Sequence, residues 1–123
     1  MRNDQASNPV LEKSFRFSLA VIEFSQELVS RKKYRMADQI FRSGTSIGAN
    51  IRESQNTDSR SDFIRKLKVA AKEADETAYR LELCNSSPHY PGNDQLASEL
   101  HEIIKILSKI IGTLKRNANP RRE

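Results

Sequence analysis

The sequence predicts an all-α protein folded as an antiparallel up-down-up-down four-helix bundle, and three observations carry that expectation. Apolar residues recur every three to four positions in four separate stretches. The stretches are joined by short segments rich in polar residues, Pro or Gly. A chain of 123 residues has the size of one domain and can bury a core without disulfides or metals.

The polar stretch 1–9, ending Asn8-Pro9, reads as a disordered arm, and the bundle is expected over residues 10–116. The first helix, about Val10 to Arg31, carries two apolar series. Phe15, Leu19, Ile22 and Val29 share one face, and Phe17, Val21, Phe24 and Leu28 share another. At about 100° per residue the two lie roughly opposite each other. A monomeric bundle needs only one such stripe, so Phe17, Val21, Phe24 and Leu28 are expected to form a subunit contact. The basic run Arg31-Lys32-Lys33 then closes the helix, where cations suit the dipole.

The second helix is expected over about Arg35 to Ser54, on Met36, Ile40, Ile47 and Ile51. Its middle, Ser43 to Asn50, is rich in Gly, Ser, Thr and Asn, which are poor helix formers. The apolar spacing nevertheless continues through it, and Gly44 and Gly48 lie four apart, where a neighbouring backbone can come close. A break at Gly44 is the alternative. Ser59 or Ser61 can cap the third helix, with Asp62 in its first turn. That helix runs to about Asn85 on Phe63, Leu67, Ala70, Ala74, Ala78 or Thr77, Leu81 and Cys84. After the Pro- and Gly-containing loop 86–93, a fourth helix from about Asp94 to Arg116 carries the a/d seam Leu96, Leu100, Ile103, Leu107, Ile110 and Leu114. Ile104, Ile106 and Ile111 widen it, so Ile106 joins the expected oligomer contact. Residues 117–123 form a basic tail.

The net charge of +5 is unevenly spread. Residues 31–72 hold eleven Lys and Arg against four Asp and Glu, and residues 105–123 six against one. Residues 73–104 hold one against seven. In an up-down bundle the two basic blocks meet at one end. Arg52, Arg60, Arg65, Lys66, Lys68, Lys109, Lys115 and Arg116, with Arg121 and Arg122 of the tail, are expected to gather there. Such an end would contact the phosphates of RNA or DNA without sequence preference. Basic residues at the start of the third helix oppose its dipole, which favours a functional reason for them.

Other chemistries find little support. Cys84, His89 and His101 are too few and too scattered for zinc, and Cys84 sits at an apolar helical position that suits a core residue. The segment Gly44 to Gly48 lacks the lysine of a phosphate-binding loop. Glu73, Asp75, Glu76 and Glu102 lack the Glu-x-x-His pairs of a metal-carboxylate bundle; Glu73 or Glu76 is expected to pair with Arg42 or Arg80. No metal, cofactor or enzymatic activity is therefore expected. One cysteine, no signal-like segment and no apolar run near the roughly 18 residues of a membrane span suggest a cytoplasmic protein.

The stretch Arg42-Ser-Gly-Thr-Ser-Ile-Gly-Ala-Asn-Ile-Arg-Glu-Ser54 resembles the signature of the bacterial four helix bundle protein family. Its founding members are encoded within intervening sequences of large-subunit ribosomal RNA genes. Asp62 to Leu67 and Lys72 to Thr77 are similar to that family's third helix, and the likeness covers about residues 12–116. The resemblance implies a bundle that assembles as a ring, a pentamer. It also implies kinship in fold with the accessory variability protein of diversity-generating retroelements, a basic pentamer that works beside a reverse transcriptase. Arg42, Asn50 and Glu53 match the family's recurrent polar positions and read first as structural hydrogen-bonding groups. Partners implied are further copies of the chain and RNA, DNA or a nucleic-acid enzyme. The rival function is a structural adaptor that docks a protein partner.

Overall fold

The computed structural model describes residues 8–118. They form four helices and, among the described residues, no strand: α1 Pro9–Ser30, α2 Tyr34–Ser54, α3 Arg60–Ser86 and α4 Asp94–Ala118. Asn8 and Pro9, expected in the arm, belong to the start of α1, and α4 runs two residues past its expected end. Residues 1–7 of the arm and 119–123 of the tail, including Arg121 and Arg122, lie outside the described residues.

Helices α1, α3 and α4 begin on side-chain caps, whereas Lys33 at the start of α2 offers none. The Asn8 side chain accepts hydrogen bonds from the Val10 and Leu11 amides, and Pro9 takes the first helical position, where its missing N–H costs nothing. Lys32 adopts a left-handed conformation, φ 63°, at the end of α1. The Lys32 amide bonds to the Val29 carbonyl at 2.8 Å and the Lys33 amide to the Leu28 carbonyl at 2.8 Å, the paired bonds of a Schellman termination. The Ser59 hydroxyl accepts from the Asp62 amide at 3.1 Å, so Ser59 rather than Ser61 caps α3. Asn93 caps α4 by accepting from the Leu96 amide at 2.9 Å. The Lys33 ammonium lies 4.8 Å from the Tyr90 ring centre, joining the α1–α2 and α3–α4 connections at one end.

The helix α2 is continuous through Gly44 and Gly48. Its poor helix formers are reconciled with helix in two ways. Thr45 and Ser46 donate their hydroxyls to the Phe41 and Arg42 carbonyls, each at 2.7 Å, and Asn50 donates to the Ser46 carbonyl at 2.9 Å, so these side chains satisfy themselves on their own helix. The glycines let α1 approach. A β-carbon on Gly44 would stand 2.8 Å from a Val21 methyl, and one on Gly48 would stand 3.3 Å from the Ser14 carbonyl oxygen.

These contacts set α1 and α2 antiparallel. Helices α2 and α3 cross at Ser43, whose hydroxyl donates to Thr77 Oγ1 at 2.7 Å while Thr77 donates to the Glu73 carbonyl. Thr77 is thus the buried member of the alternatives at that turn, with Ala78 only half-buried. Lys13 of α1 reaches Glu102 of α4 at 3.0 Å. Each helix packs on its chain neighbours, and α1 packs on α4, closing an up-down-up-down bundle.

The core overturns one expectation. Phe17, Val21, Phe24 and Leu28 are at most 2% exposed and lie among Ile40, Ile47, Ile51, Leu100 and Leu107. They cannot form a subunit contact, because they are the α1 contribution to the chain's own core. The reason is steric. The side of α1 bearing Ser14, Ser18 and Val21 fits against Gly44 and Gly48, and that fit turns the Phe17 series inward. The other series faces out, with Phe15 60% and Leu19 51% exposed. Ile106 is half-buried and packs against the core. Cys84 is a core residue as expected, and burial pushes its thiol pKa up.

Candidate nucleic-acid interface

The antiparallel arrangement brings the start of α1, the end of α2, the start of α3 and the end of α4 to one end of the bundle. Two contacts fix this. Lys66 donates to Glu53 Oε1 at 2.7 Å, and Leu114 of α4 lines a groove with Ser54, Thr57, Arg60 and Phe63. The eight cations expected at this end do lie in that half of the molecule, but helical phase divides them among different faces.

On α3, Lys66 and Thr77 mark the side that faces α2. Lys68 lies on the opposite side, toward α4, with Arg65 outermost; both are exposed. Arg60, Ser61, Ile64, Arg65 and Lys68 line an open groove of about 570 Å³. On α4, Glu102 marks the side that faces α1. Lys115 lies on the α3 side, with Lys109 and Arg116 outermost, all three exposed. Arg60, Lys68 and Lys115 therefore share the α3–α4 flank, with Arg65 at its outer edge. Lys109 and Arg116, seven and fourteen residues after Glu102, follow its stripe along the outer face of α4 that turns toward α1. The other two lie elsewhere. Lys66 is tied to Glu53 between α2 and α3, and Arg52 lines a separate groove of about 410 Å³ between α1 and α2, with Leu11, Phe15, Gly48 and Ala49.

Within the flank, Arg65 forms an ion pair at 2.8 Å with Asp62, and that guanidinium holds the Asp62 carboxyl below its usual range. Arg60, Lys68, Lys109, Lys115 and Arg116 form no ion pair among the described residues. Their ammonium and guanidinium groups are carried on helices with no carboxylate partner among the described residues. Two further exposed cations continue the rows, Lys72 on α3 and Lys105 on α4. Both fall within the basic blocks 31–72 and 105–123 but were not among the cations named for this end; helical phase measured from Leu67 and Leu100 would have placed them. At the same end Lys13 is paired with Glu102 and Arg16 with Glu12, so the start of α1 adds cations that are already compensated.

The recurrent polar positions of the signature have structural occupations. Arg42 donates to Gln39 Oε1, Asn50 to the Ser46 carbonyl, and Glu53 accepts from Lys66. Of the pairings expected for the α3 carboxylates, Glu76 lies 3.8 Å from Arg80. Among the described residues, no group of three or more His, Cys, Asp or Glu is placed to hold a metal ion, and no helix is long and apolar enough to cross a membrane.

A family model described as 23S rRNA-intervening sequence protein matches residues 6–111, nearly the whole bundle. The chain belongs to that family. Among solved structures, it is similar to a protein of unknown function from the S23 ribosomal protein family of Bacteroides thetaiotaomicron. The two share 43% sequence identity, with a TM-score of 0.78 over 83% of this chain and 97% of the other. No curated protein matches. Membership in the intervening-sequence family agrees with the resemblance carried by Arg42 to Ser54, and the S23 structure has the same fold over almost all of its own length.

Proposed function

We propose that this intervening-sequence family member is a binding protein, not a catalyst, which holds nucleic acid without sequence preference through the basic outer surface of α3 and α4. The carrying observation is that Arg60, Lys68, Lys109, Lys115 and Arg116 lie exposed on α3 and α4 in one half of the bundle, unpaired among the described residues. Cations so placed release counterions when they meet phosphates, and that release supplies most of non-specific affinity. The family's connection with ribosomal RNA genes supports RNA as one such partner, free or within a ribonucleoprotein.

The test is a filter-binding titration across salt with the variant Lys68→Glu/Lys109→Glu/Arg116→Glu. These side chains are exposed, so the fold should survive, which circular dichroism would check. Affinity at low salt should fall on the order of 100-fold or more, with a log–log salt slope shallower by about 3. An unchanged affinity, or no binding by the parent at low salt, overturns direct contact and leaves the adaptor role.

Self-assembly forms part of this proposal, on a different surface from the one first expected. Phe15, Leu19, Ile22 and Val29 of α1 lie exposed beside Tyr34 and Phe41 of α2, and Val69, Tyr79 and Leu83 are exposed on α3. Two unlike apolar patches suit a heterologous contact, which closes into a ring such as a pentamer. Light scattering should give a multiple of the chain mass, reduced to one chain by Phe15→Glu/Leu19→Glu. A parent that is already monomeric at micromolar concentration refutes the assembly.

A further inference from the structure

We infer that copies of this chain join head to tail, with Tyr79 of α3 in one copy seated on the α1–α2 groove of the next and a carboxylate beside Tyr79 meeting Arg52. The inference rests on the self-assembly proposed above and deepens it by naming the two surfaces that meet.

The groove suits an apolar group that brings one negative charge with it. Its volume is about 410 Å³, and Leu11, Phe15, Gly48 and Ala49 line it. Ser14 and Ser18 line it too, but their hydroxyls are already donated to the Leu11 and Ser14 carbonyls. Two charged side chains complete the lining, Glu12 and Arg52. Glu12 is tied to Arg16 at 2.6 Å. Arg52 is exposed and forms no ion pair among the described residues. Covering that guanidinium with an apolar surface costs free energy unless an anion arrives with the surface.

The outer ridge of α3 offers two exposed apolar places, and charge decides between them. Val69 stands between Arg65, four residues before it, and Lys72, three after it, so docking there would set like charges against Arg52. Tyr79 lies about 15 Å farther along the helix and is 63% exposed. Asp75 precedes it by four residues, Glu82 follows by three and the exposed Leu83 by four, spacings that place all of them beside it. Asp75 and Glu82 are exposed and form no ion pair among the described residues. The Tyr79 end of α3 therefore joins apolar surface to uncompensated negative charge, the complement of the groove. The other exposed large aromatics, Phe15, Tyr34 and Phe41, belong to α1 and α2, the helices that form the groove itself. Two grooves set face to face about a two-fold axis would bring no uncompensated carboxylate to either Arg52 and would leave Tyr79 uncovered. Because groove and Tyr79 lie on different faces of one chain, each copy engages one neighbour with each, which makes the contact head to tail.

The test is sedimentation velocity of the full chain across micromolar concentrations. The variants Arg52→Glu and Asp75→Lys/Glu82→Lys should each raise the dissociation constant of the assembly on the order of 10-fold or more, because each sets like charges against each other. The combined variant Arg52→Glu/Asp75→Lys/Glu82→Lys restores opposite charges across the contact and should recover most of the parent's assembly. Tyr79→Ala should weaken assembly roughly 10- to 100-fold, as loss of an aromatic anchor does. All four side chains are exposed, so each variant should keep its fold, which circular dichroism would check. Loss in both charge variants without recovery in their combination overturns the pairing. Parent-like assembly by Arg52→Glu and by Tyr79→Ala overturns this contact and leaves self-assembly through another surface standing. A parent that sediments as a single chain overturns both.

Discussion

The substitution Phe24→Ala should destabilise the bundle by about 3–5 kcal/mol, whereas Phe15→Ala should change its stability by no more than about 0.5 kcal/mol. The two phenylalanines sit on one helix in similar company. Phe24 is 2% exposed and surrounded by the core, so truncation removes a buried ring and leaves a cavity lined by side chains from several helices. Phe15 is 60% exposed, so its truncation removes little that folding had buried. Urea denaturation at a concentration where the chain is monomeric would check both. The midpoint should move for Phe24→Ala with the slope retained. A large loss for Phe15→Ala under those conditions, or a mild one for Phe24→Ala, would mean that the inward face of α1 has been misassigned.

A second substitution with a large effect is Gly44→Ala. On propensity alone alanine should stabilise a helix interior by about 1 kcal/mol. Here the new β-carbon would stand 2.8 and 2.9 Å from the two methyls of Val21. Val21 is fully buried and β-branched, with little rotamer freedom to move aside. Overpacking of this kind costs about 1–3 kcal/mol, so the sign reverses and the variant should lose up to about 2 kcal/mol net. Gly48→Ala meets only contacts of 3.3 Å and longer and should be milder. Adding Val21→Ala to Gly44→Ala should restore part of the loss, giving a coupling energy of about 0.5–3 kcal/mol in a thermal or urea double-mutant cycle. Additive losses would show that Gly44 and Val21 do not meet.

The four helices were legible because each carries its apolar residues at a period that solvent exposure forces on any surface helix. Most of their ends were legible from Ser59, the loop 86–93 and the basic run after α1, since unpaired backbone groups at helix termini demand such residues; Asn8 and Pro9, read as part of the arm, instead start α1. The weak helix formers of α2 were read correctly only because Ile40, Ile47 and Ile51 keep the period through them. The basic end was legible from the charge blocks and up-down topology. Its division into flanks was not, because a block in sequence winds around all sides of a helix and its phase matters only once the buried side is known.

The sequence by itself determined the all-α class, the helix count, the connections and the fact that α1 carries more apolar surface than one bundle needs. Which of its two faces enters the core was decided by the tertiary structure alone. Periodicity records how often apolar residues return, and both series return equally well. The choice lies in shape: Val21 and the serines of α1 fit against Gly44 and Gly48, and a fit between two helices is a property of neither helix taken alone.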